Sequence, residues 1–212
     1  MPRISAKICG LSTLDTVGAA VSHGASHVGF VFFPKSPRHL DPDQARALAA
    51  IVPAHVAKVA VVVDADDDLL ARIASFVDVF QLHGAEPPAR AAAVKMLTGR
   101  KIWKAVSVRT RADLAAAASF GGAVDRILYD AKTPANAVLP GGMGLRFDWK
   151  LLDGFDHPLP WALSGGLDAG NVADAVGITG ARLVDASSGV ESAPGIKDVA
   201  KIAAFLKAVG KL

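Results

Sequence analysis

Short runs rich in β-branched residues alternate along the chain with Ala- and Leu-rich stretches whose apolar positions recur at helical spacing. That order predicts strands joined by helical crossovers, and hence a parallel sheet. Eight alternations are legible. The strands are predicted at 5–9, 27–32, 56–63, 79–82, 101–106, 126–130, 161–164 and 182–185. The helices are predicted at 13–22, 42–50, 68–75, 87–97, 111–119, 147–152, 169–176 and 197–209.

Eight units in 212 residues leave about 26 residues each, enough for a strand, a helix and two short loops. The predicted fold is therefore α/β, a lean (β/α)8 TIM barrel forming a single compact domain over residues 1–212. An open doubly wound sheet fits less well, because no Gly-x-Gly-x-x-Gly follows the first strand. The connection at 131–146 stands apart, with two prolines, three glycines and little periodicity. It reads either as a functional lid or as a mobile insertion.

Composition narrows the function. The net charge is +3, from 23 basic and 20 acidic residues, and no run of five or more Lys/Arg occurs. A polyanion partner such as nucleic acid is therefore not expected; an anionic small molecule is. One cysteine builds no disulfide framework, and six scattered histidines lack zinc-site spacing, so neither a metal nor another cofactor is expected, and the compartment is read as cytoplasmic. Met1-Pro2-Arg3-Ile4-Ser5 lacks an apolar leader, and the most hydrophobic stretch, 56–63, carries Lys58 and is too short to span a bilayer.

In such a barrel all strands aim their carboxyl ends at one face, so reactive side chains at strand ends become neighbours. Cys9, Asp64, His83, Asp130, Ser164 and Asp185 all fall there, with Arg38 in the second loop. Lys7 and Cys9 share a strand face, and a neighbouring ammonium lowers a thiol's pKa, which makes Cys9 a candidate base; the alternative is a small buried hydrophobe. Asp130 ends an apolar run, where desolvation should raise its pKa and suit it to a general acid; the alternative is a cap or a loop ion pair. His83, on a face with Gln81, reads first as a structural histidine and second as a substrate contact. Ser164-Gly165-Gly166 and Ser187-Ser188-Gly189 occupy the turns where barrels bind phosphate. Prolines 34 and 37 stiffen the loop that carries Arg38, a candidate bidentate carboxylate clamp or else a solvated arginine.

Lys7-Ile8-Cys9-Gly10, the loop 34–38, Gln81-Leu82-His83-Gly84, Ser164-Gly165-Gly166-Leu167 and Asp185-Ala186-Ser187-Ser188-Gly189-Val190-Glu191 occur in this order, and on them the chain resembles the phosphoribosylanthranilate isomerases almost from end to end. Two departures stand out: Met143, where the family usually has threonine, and Ala186, where it usually has valine.

The resemblance implies an intramolecular oxidoreductase of tryptophan biosynthesis. Its reaction is the Amadori rearrangement of N-(5-phosphoribosyl)anthranilate to 1-(2-carboxyphenylamino)-1-deoxyribulose 5-phosphate. It implies Cys9 as general base, Asp130 as general acid, Arg38 on the anthranilate carboxylate, and Gly165, Gly166, Ser187, Ser188 and Gly189 on the phosphate. Lys7, His83 and Asp185 would support them. The two anionic ends are expected on opposite rims of the barrel, with the chain acting as a monomer or homodimer. The related histidine-pathway isomerase uses a carboxylate where this chain has Cys9, and a ribulose-phosphate epimerase would need metal ligands at strand ends. A non-catalytic phosphate-binding barrel is the remaining alternative.

Overall fold

The computed structural model describes residues 4–134, 139 and 141–212. The first three residues, and positions 135–138 and 140 of the irregular connection, lie outside the described residues. Eight parallel strands close into a barrel in sequence order. They are β1 (Ser5–Cys9), β2 (His27–Phe32), β3 (Ala57–Val62), β4 (Val79–Leu82), β5 (Lys101–Val108), β6 (Arg126–Ala131), β7 (Trp161–Leu163) and β8 (Leu183–Ala186). Closure is made by β1 against β8, with Lys7 opposite Asp185.

Alternation along the strands divides the core in two. Val59, Val79, Trp103, Ala105, Leu128, Ala162 and Leu183 pack inside the barrel. Their outward neighbours, among them Ile8, Phe30, Val62, Phe80 and Ile102, pack with helix residues such as Leu70, Ile73 and Phe205. Above the inner layer, toward the strands' carboxyl ends, Cys9, Val31 and Val61 form a small apolar cluster against Phe33.

The helices are α1 (Leu14–Ser22), α2 (Pro42–Ala50), α3 (Asp67–Ala74), α4 (Pro88–Thr98), α5 (Arg111–Leu114), α6 (Val172–Thr179) and α7 (Val199–Val209). Local chemistry fixes several ends. Asp41 and Gln44 form a capping box ahead of Pro42, and Gly99 ends α4 in a left-handed conformation. No helix among the described residues is long and apolar enough to cross a membrane.

Four helices depart from the sequence prediction. The fifth is α-helical only over Arg111–Leu114 and continues as a 3-10 helix, Ala115–Phe120. Its buried residues, Leu114, Ala117 and Phe120, are spaced by three, which aligns them on one face at three residues per turn. The sixth shrinks to one 3-10 turn, Trp149–Leu151. The outer faces of β6 and β7 carry aromatic rings instead: His157 stacks on Trp161 at 4.3 Å, Phe155 meets His157 edge-on, and Tyr129 lies within 5.4 Å of His157. The helix predicted from residue 169 begins at Val172, because Asp168 and Asn171 close a turn first. The last helix starts at Val199, not 197, because Ile196–Lys197 (β10) pairs antiparallel with Glu191–Ala193 (β9).

Candidate active site

The carboxyl ends of the strands surround a cavity that is partly open to solvent. Cys9, Arg38, His83, Asp130, Gly165, Gly166, Asp185, Ser187 and Ser188 all line it. Gly189 lies in the next turn, and Lys7 lies deeper, fully buried within the barrel. Asp64 does not line the cavity. It is exposed, with a positive φ of 47°, and accepts from the Ala85 N–H at 3.0 Å. Buried Glu86 completes that clasp with the N–H groups of Asp64 and Gly84 and the ammonium of Lys104, so it holds the turn that follows His83.

Lys7 and Cys9 point into the barrel together, but the charge arithmetic differs from the sequence expectation. The Lys7 ammonium stands 3.0 Å from Asp185 in a buried ion pair, and Asp185 also lies 3.5 Å from the Ser164 hydroxyl. Asp185 therefore offsets part of the lysine's field at the thiol. Burial pushes the Cys9 thiol up; Lys7 opposes this and Asp185 adds to it, and the net direction is upward. The expected depression of the thiol is corrected accordingly: burial outweighs the lowering by Lys7 and Lys197, and the thiol form of Cys9 is favoured. Lys7 itself is raised above the ordinary lysine value, because Asp185 and Cys9 outweigh its burial.

Asp130 is buried, and its Oδ1 accepts from the Ala131 N–H at 2.9 Å. Its Oδ2 lies 3.2 Å from His83 Nε2, without hydrogen-bond alignment. The other ring nitrogen, Nδ1, takes the Gln81 amide at 3.0 Å, which leaves the Nε2 proton facing Asp130. Gln81 Oε1 is buried and has no partner among the described residues. The irregular connection returns over this pair. A Cβ at Gly141 would sit 2.6 Å from Asp130 Oδ2 and 2.7 Å from His83 Nε2, so only glycine fits so close an approach. Met143, at 47% exposure, lies outside the cavity lining and supplies no counterpart to a threonine hydroxyl there.

Arg38 is buried, not solvated. Its Nε and Nη2 hold both oxygens of Glu191 at 2.7 Å, and Nη2 also donates to the Gly142 carbonyl at 2.9 Å. The expected bidentate clamp is therefore already used by an internal carboxylate, leaving Nη1 as the nitrogen unclaimed among the described residues. Lys197 joins the same group, donating to Glu191 Oε1 at 2.6 Å and to the Ser187 carbonyl at 2.8 Å. Burial opposes ionisation of Glu191, but Arg38 and Lys197 together hold its carboxyl below the usual range. Burial draws Lys197 down, with Glu191 offsetting only part of it.

The sequence gives Glu191 no evident role and predicts Lys197 within a helix. Pro194-Gly195 between them was the readable turn signal. Through these two side chains the Arg38 end and the Ser187 end are linked across the barrel seam, rather than standing apart on opposite rims.

At the other end, Gly165 and Gly166 adopt φ of 94° and 63°, and Ser188–Val190 forms a 3-10 turn. The N–H groups of Gly165, Gly166, Ser188 and Gly189 have no partner among the described residues. A cluster of unpaired backbone donors at the ends of neighbouring strands suits an anion.

The profile of the N-(5'-phosphoribosyl)anthranilate (PRA) isomerase family matches residues 6–208. The N-(5'-phosphoribosyl)anthranilate isomerase of Zymomonas mobilis subsp. mobilis is 57% identical over 208 residues, 97% of this chain and 98% of that one. A phosphoribosyl anthranilate isomerase solved with reduced 1-(o-carboxyphenylamino)-1-deoxyribulose 5-phosphate superposes with a TM-score of 0.85 at 33% identity, covering both chains completely. Monomers generated from the dimeric Thermotoga maritima isomerase superpose with a TM-score of 0.84 at 34% identity, again over both full chains.

Proposed function

The chain belongs to the N-(5'-phosphoribosyl)anthranilate isomerase family, and we propose that its barrel mouth rearranges N-(5-phosphoribosyl)anthranilate with Asp130 as general acid and Cys9 as general base. It is an aldose–ketose isomerase of tryptophan biosynthesis. The observation that carries the residue assignment is that Cys9 on β1 and Asp130 on β6 line one cavity, with Arg38 and the unpaired glycine and serine amides in the same wall.

Asp130 gives its proton to the ribose ring oxygen as the C1–O bond breaks, and the anilinic nitrogen's lone pair forms a cationic C1=N bond. Cys9, having lost its own proton to solvent, then takes the C2 proton as the thiolate. Those electrons move into C1=C2 and neutralise the nitrogen, giving an enolamine. Transfer of a proton from the C2 hydroxyl to C1 completes the ketose. The cationic imine favours the thiolate that faces it, so substrate adds to the field of Lys7 and offsets the burial that favours the thiol.

Arg38 meets the anthranilate carboxylate through Nη1, and the turns at 165–166 and 187–189 receive the phosphate. His83 orients Asp130, while Lys7 and Asp185 hold the floor beneath the thiol. The enzyme works in the cytoplasm, where a lone thiol stays reduced, as a monomer or homodimer.

Loss of anthranilate-type fluorescence from freshly prepared substrate tests the activity. Turnover is expected with the wild-type chain and strongly reduced turnover with Cys9→Ser; substrate-analogue binding without turnover would make the chain a binding module. The phosphate assignment has its own check. A Cβ at Gly189 would fall on the Leu167 carbonyl oxygen, backbone against backbone, so Gly189→Ala must displace the 187–189 turn. It is expected to raise KM and the inhibition constant of inorganic phosphate about tenfold or more with a smaller change in kcat; an unchanged phosphate inhibition constant would move the phosphate elsewhere.

A further inference from the structure

We propose that Glu191 is a positioning residue that makes Arg38 selective for a carboxylate-bearing aromatic amine, by holding one edge of the guanidinium so that Nη1 is presented to the substrate. The inference rests on the reading of Arg38 given above and deepens it.

Glu191 leaves no freedom in its own carboxylate. Oε1 receives Arg38 Nε and Lys197 Nζ, at 2.7 and 2.6 Å. Oε2 receives Arg38 Nη2 and the Gly195 N–H, at 2.7 and 3.2 Å. Four donors saturate its oxygens. Its carrier is equally fixed: Glu191 opens β9, Lys197 closes β10, and the two strands pair directly.

An arginine gripped along its Nε/Nη2 edge loses rotation about its last torsions, and the remaining direction of its fork becomes fixed. Two cations, Arg38 and Lys197, share this single carboxylate. The group therefore carries a formal surplus of one positive charge beside the cavity, which an incoming carboxylate neutralises. A guanidinium without Glu191 would keep its charge and lose its aim, and a misplacement of about 1 Å can cost about 10²-fold in rate.

The test compares two substrates on the same protein: the phosphoribosylamine of anthranilate, and that of aniline, which lacks the carboxylate. The ratio of their kcat/KM values is read, because both sample the same folded population and partial unfolding cancels. Glu191→Gln is expected to lower this preference by about 10- to 100-fold, mostly through KM for the anthranilate substrate. Glu191→Asp, which keeps the charge, is expected to restore part of it and serves equally if the glutamine variant folds poorly.

Arg38→Met is the control for the underlying reading, and its preference is expected to fall near unity. If Arg38→Met leaves the preference unchanged, Arg38 is not the carboxylate site and this inference falls with that reading. If Arg38→Met abolishes the preference while Glu191→Gln slows both substrates equally, the reading of Arg38 stands and the positioning role of Glu191 is overturned.

Discussion

Cys9→Ser is expected to lower kcat by about 10²- to 10⁴-fold with the circular dichroism of the barrel unchanged. Serine replaces sulfur with a smaller oxygen beside Val31, Val61 and Phe33, a nearly isosteric change, whereas a hydroxyl is a far weaker acid than a thiol and yields almost no anion at neutral pH. The upward displacement of the thiol adds a pH dependence. Protonated Cys9 and ionised Asp130 are the inactive forms, so kcat/KM carries both ionisations, and the thiol is read alone by alkylation with iodoacetamide, whose rate should climb about tenfold per pH unit from neutrality to beyond about 8.5, the ordinary thiol value.

Cys9→Ser should abolish this alkylation, since the thiolate is the nucleophile. A Cys9→Ser enzyme with undiminished kcat would remove the thiol from the reaction. A pH-independent alkylation rate near neutrality would show that the thiol is already ionised and that burial does not hold it neutral.

The difference between the legible and illegible parts of this site follows from distance along the chain. The strands could be read because each carries its own β-branched run, and their ends agree with the structure to within one or two residues. Cys9, Asp130 and the glycine turns could be read because a parallel barrel sends every strand end to one face. The charge state of Cys9 could not. Lys7 is two residues away and visible, but the carboxylate that neutralises it is Asp185, 178 residues later, and strand alternation says nothing about who pairs across the seam.

Arg38 and Glu191 are separated by 153 residues, and an arginine's free donors are decided by whichever acid folds against it. The fifth helix failed for a different reason. Its alanines satisfy α and 3-10 winding alike, and the spacing by three of the buried Leu114, Ala117 and Phe120 fits three residues per turn.

Asp130→Asn is expected to reduce kcat by a similar factor of about 10²- to 10⁴-fold, and the local hydrogen bonds explain why the fold should survive it. The asparagine carbonyl can keep the Ala131 N–H now held at 2.9 Å. Its amide group then faces His83 Nε2, which in the native arrangement carries a proton. A single rearrangement resolves the conflict: Gln81 turns its unpartnered Oε1 toward Nδ1, the imidazole proton moves to Nδ1, and Nε2 becomes an acceptor.

The 15N shifts of His83 should therefore exchange between the two tautomers on mutation, a signature that lost stability alone would not produce. The open-chain reduced ketose analogue has no ring oxygen to protonate, so its affinity should change by less than about threefold, confining the loss to the ring-opening step. If Asp130→Asn turns over at the wild-type rate, ring opening needs no acid from β6. If the analogue's affinity collapses along with kcat, Asp130 holds substrate in place rather than delivering the proton.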